Sequence, residues 1–260
     1  MQKKMMEKEL KQSSFERSHR FDEYRSRIVD FLYSNGKEMN MDPNTILLSI
    51  MFFDRYNTYT VMPKVDIYKA AIICLFIAAK CEEREVDLPS FKNICQPCSD
   101  LFANIHEVFE WEFTVLKGLD WNLSYVTTGH FVDMYGHVPL VFDNDILDNH
   151  EAKPYKNRIM IYICRYLFFF LELTAGEVSL EKFKPSEIAA GIIASSRAVL
   201  RLKPIWRDEL TKMTRVDIKE NFSIFDSIIS IYKQKYPDHC KKNLYGEQVS
   251  PENVTNSLIQ

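Results

Sequence analysis

The chain has 260 residues, 46% of them apolar, with seven glycines and a formal net charge of -3. That length and apolar content suffice for one large core or two ordinary domains, and the scarcity of glycine and of Asn-Gly or Asp-Gly pairs argues against an all-β fold. A slightly acidic balance gives no electrostatic basis for nucleic-acid binding, which rests on Lys and Arg neutralising phosphates.

Residues 1–20 are charged and read as a short amphipathic helix or a mobile segment, with no apolar secretory leader. The expected location is nuclear and/or cytoplasmic, not secreted. A helix is expected over about 21–35, with Ile28, Phe31 and Leu32 as its apolar stripe and Gly36 as its stop. Asp42-Pro43, a cap followed by proline at the first helical position, opens the next, which runs to about Tyr56. The third covers about 65–83 and is apolar on nearly every face from Ala70 to Ala79. Such a helix must be enclosed by other helices or by lipid. It is too short to span a bilayer, which takes ~20 apolar residues. It therefore reads as the central helix of a bundle, with Lys80 emerging at its end.

Pro89 opens a short helix over Ser90–Ile94, and a fifth runs over about 105–119. Trp121 to Ser124 links into a second unit, with helical segments at 126–135, 155–174, 185–200, 205–213 and 217–235. Within it, Ala189-Ala190 opens an apolar helix much as Ala70-Ala71 does, a weak internal repeat. The run Ile159–Leu173 is interrupted by Arg165 and reads as a core helix, so no membrane partner is expected. The expected organisation is a charged segment over 1–20, a first unit over 21–123, a second over 124–236 and a disordered polar tail over 237–260.

Of six cysteines, only Cys95 and Cys98 form a CxxC, and zinc would need two further ligands. Buried or half-buried thiols are the plain reading. An EF-hand loop starting at Asp143 would require glycine sixth and glutamate twelfth, where Asp148 and Pro154 stand. The stretch reads as a solvated acidic loop. No metal or cofactor is expected. No Gly-rich phosphate loop occurs, His130, His137 and His150 are scattered, and nothing points to catalysis by this chain. Ser250-Pro251 is a possible phosphate acceptor for a proline-directed kinase, or a tail serine without function.

Four runs, in order, carry a family resemblance: Arg25-x-x-Ile28-Val29-Asp30-Phe31-Leu32, Phe52-Phe53-Asp54-Arg55-Tyr56, Ala78-Ala79-Lys80-x-Glu82-Glu83, and Glu110-Trp111-Glu112-Phe113 through Leu116-Lys117, Leu119, Trp121 and Leu123. They resemble the first, second, third and fifth helices of the cyclin box. Within the cyclin family the chain is most similar to the cyclin J subfamily, through Cys74-Leu75 to Glu83, Leu123 to Phe131, and Ala194 to Trp206. The resemblance implies an all-α chain of two tandem five-helix cyclin folds, each with a central apolar helix. It implies a regulatory subunit, not an enzyme, that binds and activates a cyclin-dependent protein kinase catalytic subunit by positioning its C-helix and activation segment. The rival reading is a kinase-independent adaptor of cyclin fold in transcription or meiotic recombination.

By the resemblance, Lys80 and Glu112 hold the kinase; the plain alternative is a solvated helix-end lysine and an intrahelical carboxylate. Arg25 and Asp54 match a pair that ties the first two helices together. Tyr24, Arg27, Ile28, Phe31, Ser34 and Tyr68 match a patch that docks substrates bearing an Arg-x-Leu motif, so kinase substrates are possible partners. Three of these depart from the family: Arg27 replaces an aliphatic residue, Ser34 an acid and Tyr68 a glutamine. A cation in that groove opposes a basic ligand.

Overall fold

The computed structural model describes residues 1–12, 19–59, 63–88 and 101–244. The expected helix at Ser90–Ile94, the thiols Cys95 and Cys98, and Ser250-Pro251 lie outside the described residues. The chain divides into two compact units, Met1–His130 and Phe131–Gln260.

The first unit carries α1 (Gln2–Lys11), α2 (His19–Glu38), α3 (Pro43–Tyr59), α4 (Lys64–Glu82) and α5 (Ile105–Gly118), and α6 (Thr128–Gly136) begins at its end. On α4 every residue from Ala70 to Ala79 is buried, and α2, α3 and α5 pack around it. Ala71, Cys74, Leu75 and Ala78 are fully enclosed, as an all-round apolar helix requires. Burial pushes the Cys74 thiol well above its ordinary range. Leu75→Ala is expected to cost ~2–5 kcal/mol from lost transfer energy and the cavity left behind. Urea unfolding checks this, and a cost under about 1 kcal/mol would mean α4 is not the central element.

Helix ends follow local chemistry. Asp42 accepts from the Asn44 N–H at 2.8 Å, and Pro43 takes the first helical position of α3. Asn104 accepts from the Glu107 N–H at 3.1 Å, and Glu107 accepts from the Ala103 N–H at 2.7 Å, closing the start of α5. Gly36 is not the stop expected of it. The helix continues through it to Glu38, and the left-handed residue beyond is Asn40, φ 53°. A Cβ on Gly36 would fall 2.5 Å from Ile46 Cγ1, so glycine is there to let α3 approach α2.

The second unit carries α7 (Lys156–Ala175), α8 (Pro185–Val199), α9 (Asp208–Thr214), α10 (Phe222–Lys235) and α11 (Pro237–Leu244). Here α8 is central: Ala189 to Val199 are all buried, with Ala190, Ile193 and Ala194 fully enclosed. A Cβ on Gly191 would meet Ile228 Cδ1 at 2.9 Å, so α10 presses directly on the α8 backbone. The tail expected to be disordered from Pro237 begins instead as α11, whose Cys240 is buried.

A small sheet departs from the all-helical reading without changing the class. Strand β1 (Ile146–Leu147) lies between β2 (His150–Glu151) and β3 (Leu202–Lys203), antiparallel to both, with Ile146 opposite Glu151 and Lys203. Asp148 and Asn149 close the β1–β2 hairpin with φ of 45° and 69°. Two consecutive positive φ values are those of a two-residue turn matched to strand twist.

The acidic stretch around β1 is solvated at Asp143 and Asp148, which are exposed, but not at Asp145. Asp145 is 1% exposed and Arg197, from α8, is wholly enclosed. Arg197 Nη2 donates to Asp145 Oδ1 at 2.8 Å and Nη1 to Oδ2 at 3.0 Å. Arg207 Nε adds a third bond to Oδ1 at 2.6 Å. Arg197 also donates to the carbonyls of Leu140, Pro204 and Ile205. One guanidinium thus ties the central helix to the loops on either side of the sheet. Among the described residues, no helix is long and apolar enough to cross a membrane, and no cluster of His, Cys, Asp and Glu could hold a metal ion.

Candidate partner-binding face

The Ala78-Ala79-Lys80-x-Glu82-Glu83 run ends α4, and its three charges go three ways. Glu83 turns to the start of α3, accepting from the Thr45 hydroxyl at 2.6 Å and the Asp42 N–H at 2.8 Å. A carboxylate there meets open N–H groups and the positive end of the helix dipole. Glu82 pairs with His130, Oε1 to Nε2 at 3.2 Å, while the Thr127 N–H donates to His130 Nδ1 at 3.0 Å. The His130 hydrogen bond holds the Glu82 carboxyl below its ordinary range. Lys80 turns toward α5 at the surface.

Lys80 Nζ donates to Glu112 Oε1 of α5 at 2.6 Å and lies 3.9 Å from the centroid of the Phe76 ring. The lysine side chain is 39% exposed and the glutamate 15%. Residues 32 apart in sequence thus form one donor–acceptor pair at the surface. The pair does not exhaust either group, since an ammonium has three donors and a carboxylate about four acceptor sites. Lys69 and Glu107 make a second, more buried pair between the same two helices.

Around the pair α5 shows two apolar rows. Val108 and Val115 face α4 and are buried. Ile105, Phe109 and Phe113, four residues apart in turn, are each about half exposed at 48%, 52% and 58%. Trp121, just past the helix, is 59% exposed and stands edge-on to Phe113 with ring centroids 6.0 Å apart. Four large apolar side chains left in water beside an ordered ion pair form a patch of the kind that marks an interaction surface. The i, i+4, i+8 spacing was readable in the sequence, but periodicity does not say which of two apolar rows faces the core.

Arg25 and Asp54 meet as a buried pair: Nε to Oδ1 at 3.0 Å and Nη2 to Oδ2 at 2.8 Å, each residue 4% exposed. This two-point bond ties α2 to α3. α1 lies on the same unit, with the Gln12 side chain bracketing the Val126 backbone, Nε2 to its oxygen at 3.2 Å and Oε1 from its N–H at 2.9 Å.

The patch expected on α2 holds together only in part. Phe31 stands edge-on to Tyr68 of α4 at 5.2 Å, Arg27 and Ser34 are exposed, and Tyr24 is half-buried, its phenol pushed up by that burial. Ile28 does not belong to it. At 1% exposure it points into the core with Leu32, one turn on, because α2 turns that row toward α3 and α4.

Comparison with known proteins follows the same division. The family described as Cyclin, N-terminal domain, matches residues 1–124, and Cyclin, C-terminal domain, matches 138–256. Cyclin-D of Ostreococcus tauri is 24% identical and Cyclin-J-like protein of Mus musculus 26%, each over 90% of this chain. The chain spans 62% of the length of either relative. Among solved structures, a viral cyclin from herpesvirus saimiri superposes with a TM-score of 0.68 at 14% identity, covering 90% of this chain and 97% of that one. A chain of the yeast RNA Pol II CTD kinase CTDK-1 complex gives 0.61 at 17% identity, covering 99% and 87%. Two tandem, predominantly helical units, each ringed about a central apolar helix and each matched along its length by its own half of one family's fold, place this chain in the cyclin family.

Proposed function

We propose that the first unit binds the catalytic subunit of a cyclin-dependent protein kinase and activates it by positioning the C-helix and activation segment. The observation that carries the reading is the Lys80–Glu112 pair at the edge of the exposed Phe113–Trp121 surface. A structured donor and acceptor offer fixed bonds to a partner's backbone, while the aromatic rings beside them supply apolar contact. The kinase C-helix carries the glutamate that must pair with the catalytic lysine, so a surface that docks this helix favours the active arrangement. The chain then contributes binding energy and orientation, and the chemistry stays with the kinase. Family membership supports this, as does a similar fold in a kinase complex. The test is co-purification with a panel of cyclin-dependent kinase subunits, followed by phosphorylation of a peptide substrate. Activation by the chain is the expected outcome. Stoichiometric binding without activation would leave an adaptor, and no binding to any subunit would reject the reading.

Substrate choice follows from the α2 patch. Arg27 is exposed there and Ser34 offers no carboxylate, so an Arg-x-Leu peptide meets a like charge and lacks its counter-ion. Such peptides are expected to bind weakly, and Arg27→Ile with Ser34→Glu to improve binding about tenfold or more. Fluorescence anisotropy on wild type and double variant measures it. Tight binding by the wild type, or no gain in the variant, would contradict the electrostatic account.

A further inference from the structure

Helix α7 presents a second surface, in the other unit. Its inner rows, among them Ile163, Tyr166, Phe170 and Leu171, are buried against the rest of the unit. Its outer face is not polar, as a solvated helix face would be. Ile161 and Phe168 lie seven residues apart and are 57% and 50% exposed. Beside them Arg158 and Arg165, also seven apart, are exposed. Among the described residues neither arginine enters an ion pair, and Arg165 lies 5.7 Å from the centroid of the Tyr162 ring. Residues seven apart stack two turns on, ~10.5 Å along the axis. An apolar row and a basic row therefore run side by side with the repeat that a second helix meets in knobs-into-holes packing. α7 carries three cations, Lys156, Arg158 and Arg165, against one acid, Glu172, which closes the face at its far end.

We propose that this face of α7 docks an acidic amphipathic helix of a partner protein. Apolar side chains at a seven-residue repeat would cover Ile161 and Phe168, and flanking Glu or Asp would meet Arg158 and Arg165. A second copy of this chain is a poorer occupant. Antiparallel pairing that sets Ile161 against Phe168 of the copy brings each Arg158 to Glu172 of the copy but the two Arg165 side chains together at the axis, and parallel pairing aligns both arginines with themselves, so neither meets every arginine with an acid as an acidic partner does. Like charges so placed oppose association.

The probe is a labelled designed helix of about three heptads with leucine in the apolar row and glutamate beside it, and the control replaces each glutamate by lysine. Anisotropy is measured on the full chain at low ionic strength. The glutamate helix is expected to bind saturably, more weakly as salt rises, and the lysine helix not to bind. Arg158→Glu with Arg165→Glu is expected to weaken binding about tenfold or more, and Phe168→Ser likewise. Lys80→Ala with Glu112→Ala should leave it unchanged, which keeps this surface separate from the kinase-binding proposal. The arginine variant changes only exposed side chains, so it remains informative should Phe168→Ser fold poorly. No saturable binding, equal affinity for both helices, or self-association abolished by Phe168→Ser would each overturn the proposal.

Discussion

Replacing Arg197 by alanine is expected to unfold much of the second unit. The guanidinium is fully enclosed, and its removal acts three ways at once. Asp145 loses two of its bonds, and breaking a buried pair costs ~3–5 kcal/mol. The carbonyls of Leu140, Pro204 and Ile205 lose their donor, at roughly 1–3 kcal/mol for each one left buried and unmet. The long side chain also leaves a void. Even after partial relaxation the sum is comparable to the whole stability of a domain, ~5–15 kcal/mol. Arg197→Lys keeps the charge but not the fork, and should fall between. Hydrogen exchange at the α8 and β1 amides, with urea unfolding, measures the effect. A cost under about 1 kcal/mol would show that the network is dispensable.

The same network sets an acid limit. Burial raises the Asp145 carboxyl, but the Arg197 hydrogen bond, the Phe142 N–H, the Arg197 charge and Arg207 together hold it below the usual carboxylate range. A group whose folded pKa is depressed stabilises the fold above its unfolded value, ~3.9 for Asp, and loses that contribution as pH falls through the lower folded value. Asp145→Asn should therefore be less stable at neutral pH and lose less on acidification.

The second large effect falls on binding rather than folding. Lys80→Ala with Glu112→Ala is expected to weaken kinase binding by about two to three orders of magnitude, since a hydrogen bond to a charged group is worth roughly 1.5–3 kcal/mol and ~1.4 kcal/mol is tenfold. The fold should lose no more than ~1 kcal/mol, because the lysine end of the pair is exposed. Phe113→Ala and Trp121→Ala should each cost roughly 2 kcal/mol or more of affinity if they fill pockets on the partner. Calorimetric titration and thermal unfolding on the same proteins separate the two quantities.

What the sequence disclosed and what it hid have physical causes. α4 was legible because a helix apolar on all sides has one place in a globular chain. Lys80, Glu112, Arg25 and Asp54 came from the resemblance, and the fold brings each pair within hydrogen-bond reach. Arg197 was hidden. It sits in a run of small and apolar residues with its acid 52 positions away, and nothing local links the two. Periodicity set Ile28 in the apolar stripe of α2, where it is buried; the patch assignment put it on the surface because motif matching carries no face. α11 was missed because its sequence is polar, although Cys240 packs inward.

The exchange Lys80→Glu with Glu112→Lys tests the central claim most directly. It retains the intramolecular pair, and hence the surface of the fold, but presents acceptor where the partner needs donor and donor where it needs acceptor. Titrated against a cyclin-dependent kinase subunit that the wild type binds, the exchanged protein is predicted to unfold at the wild-type temperature and to bind at least about a hundredfold more weakly. Undiminished binding by the exchanged protein would mean that Lys80 and Glu112 hold α4 to α5 and nothing else.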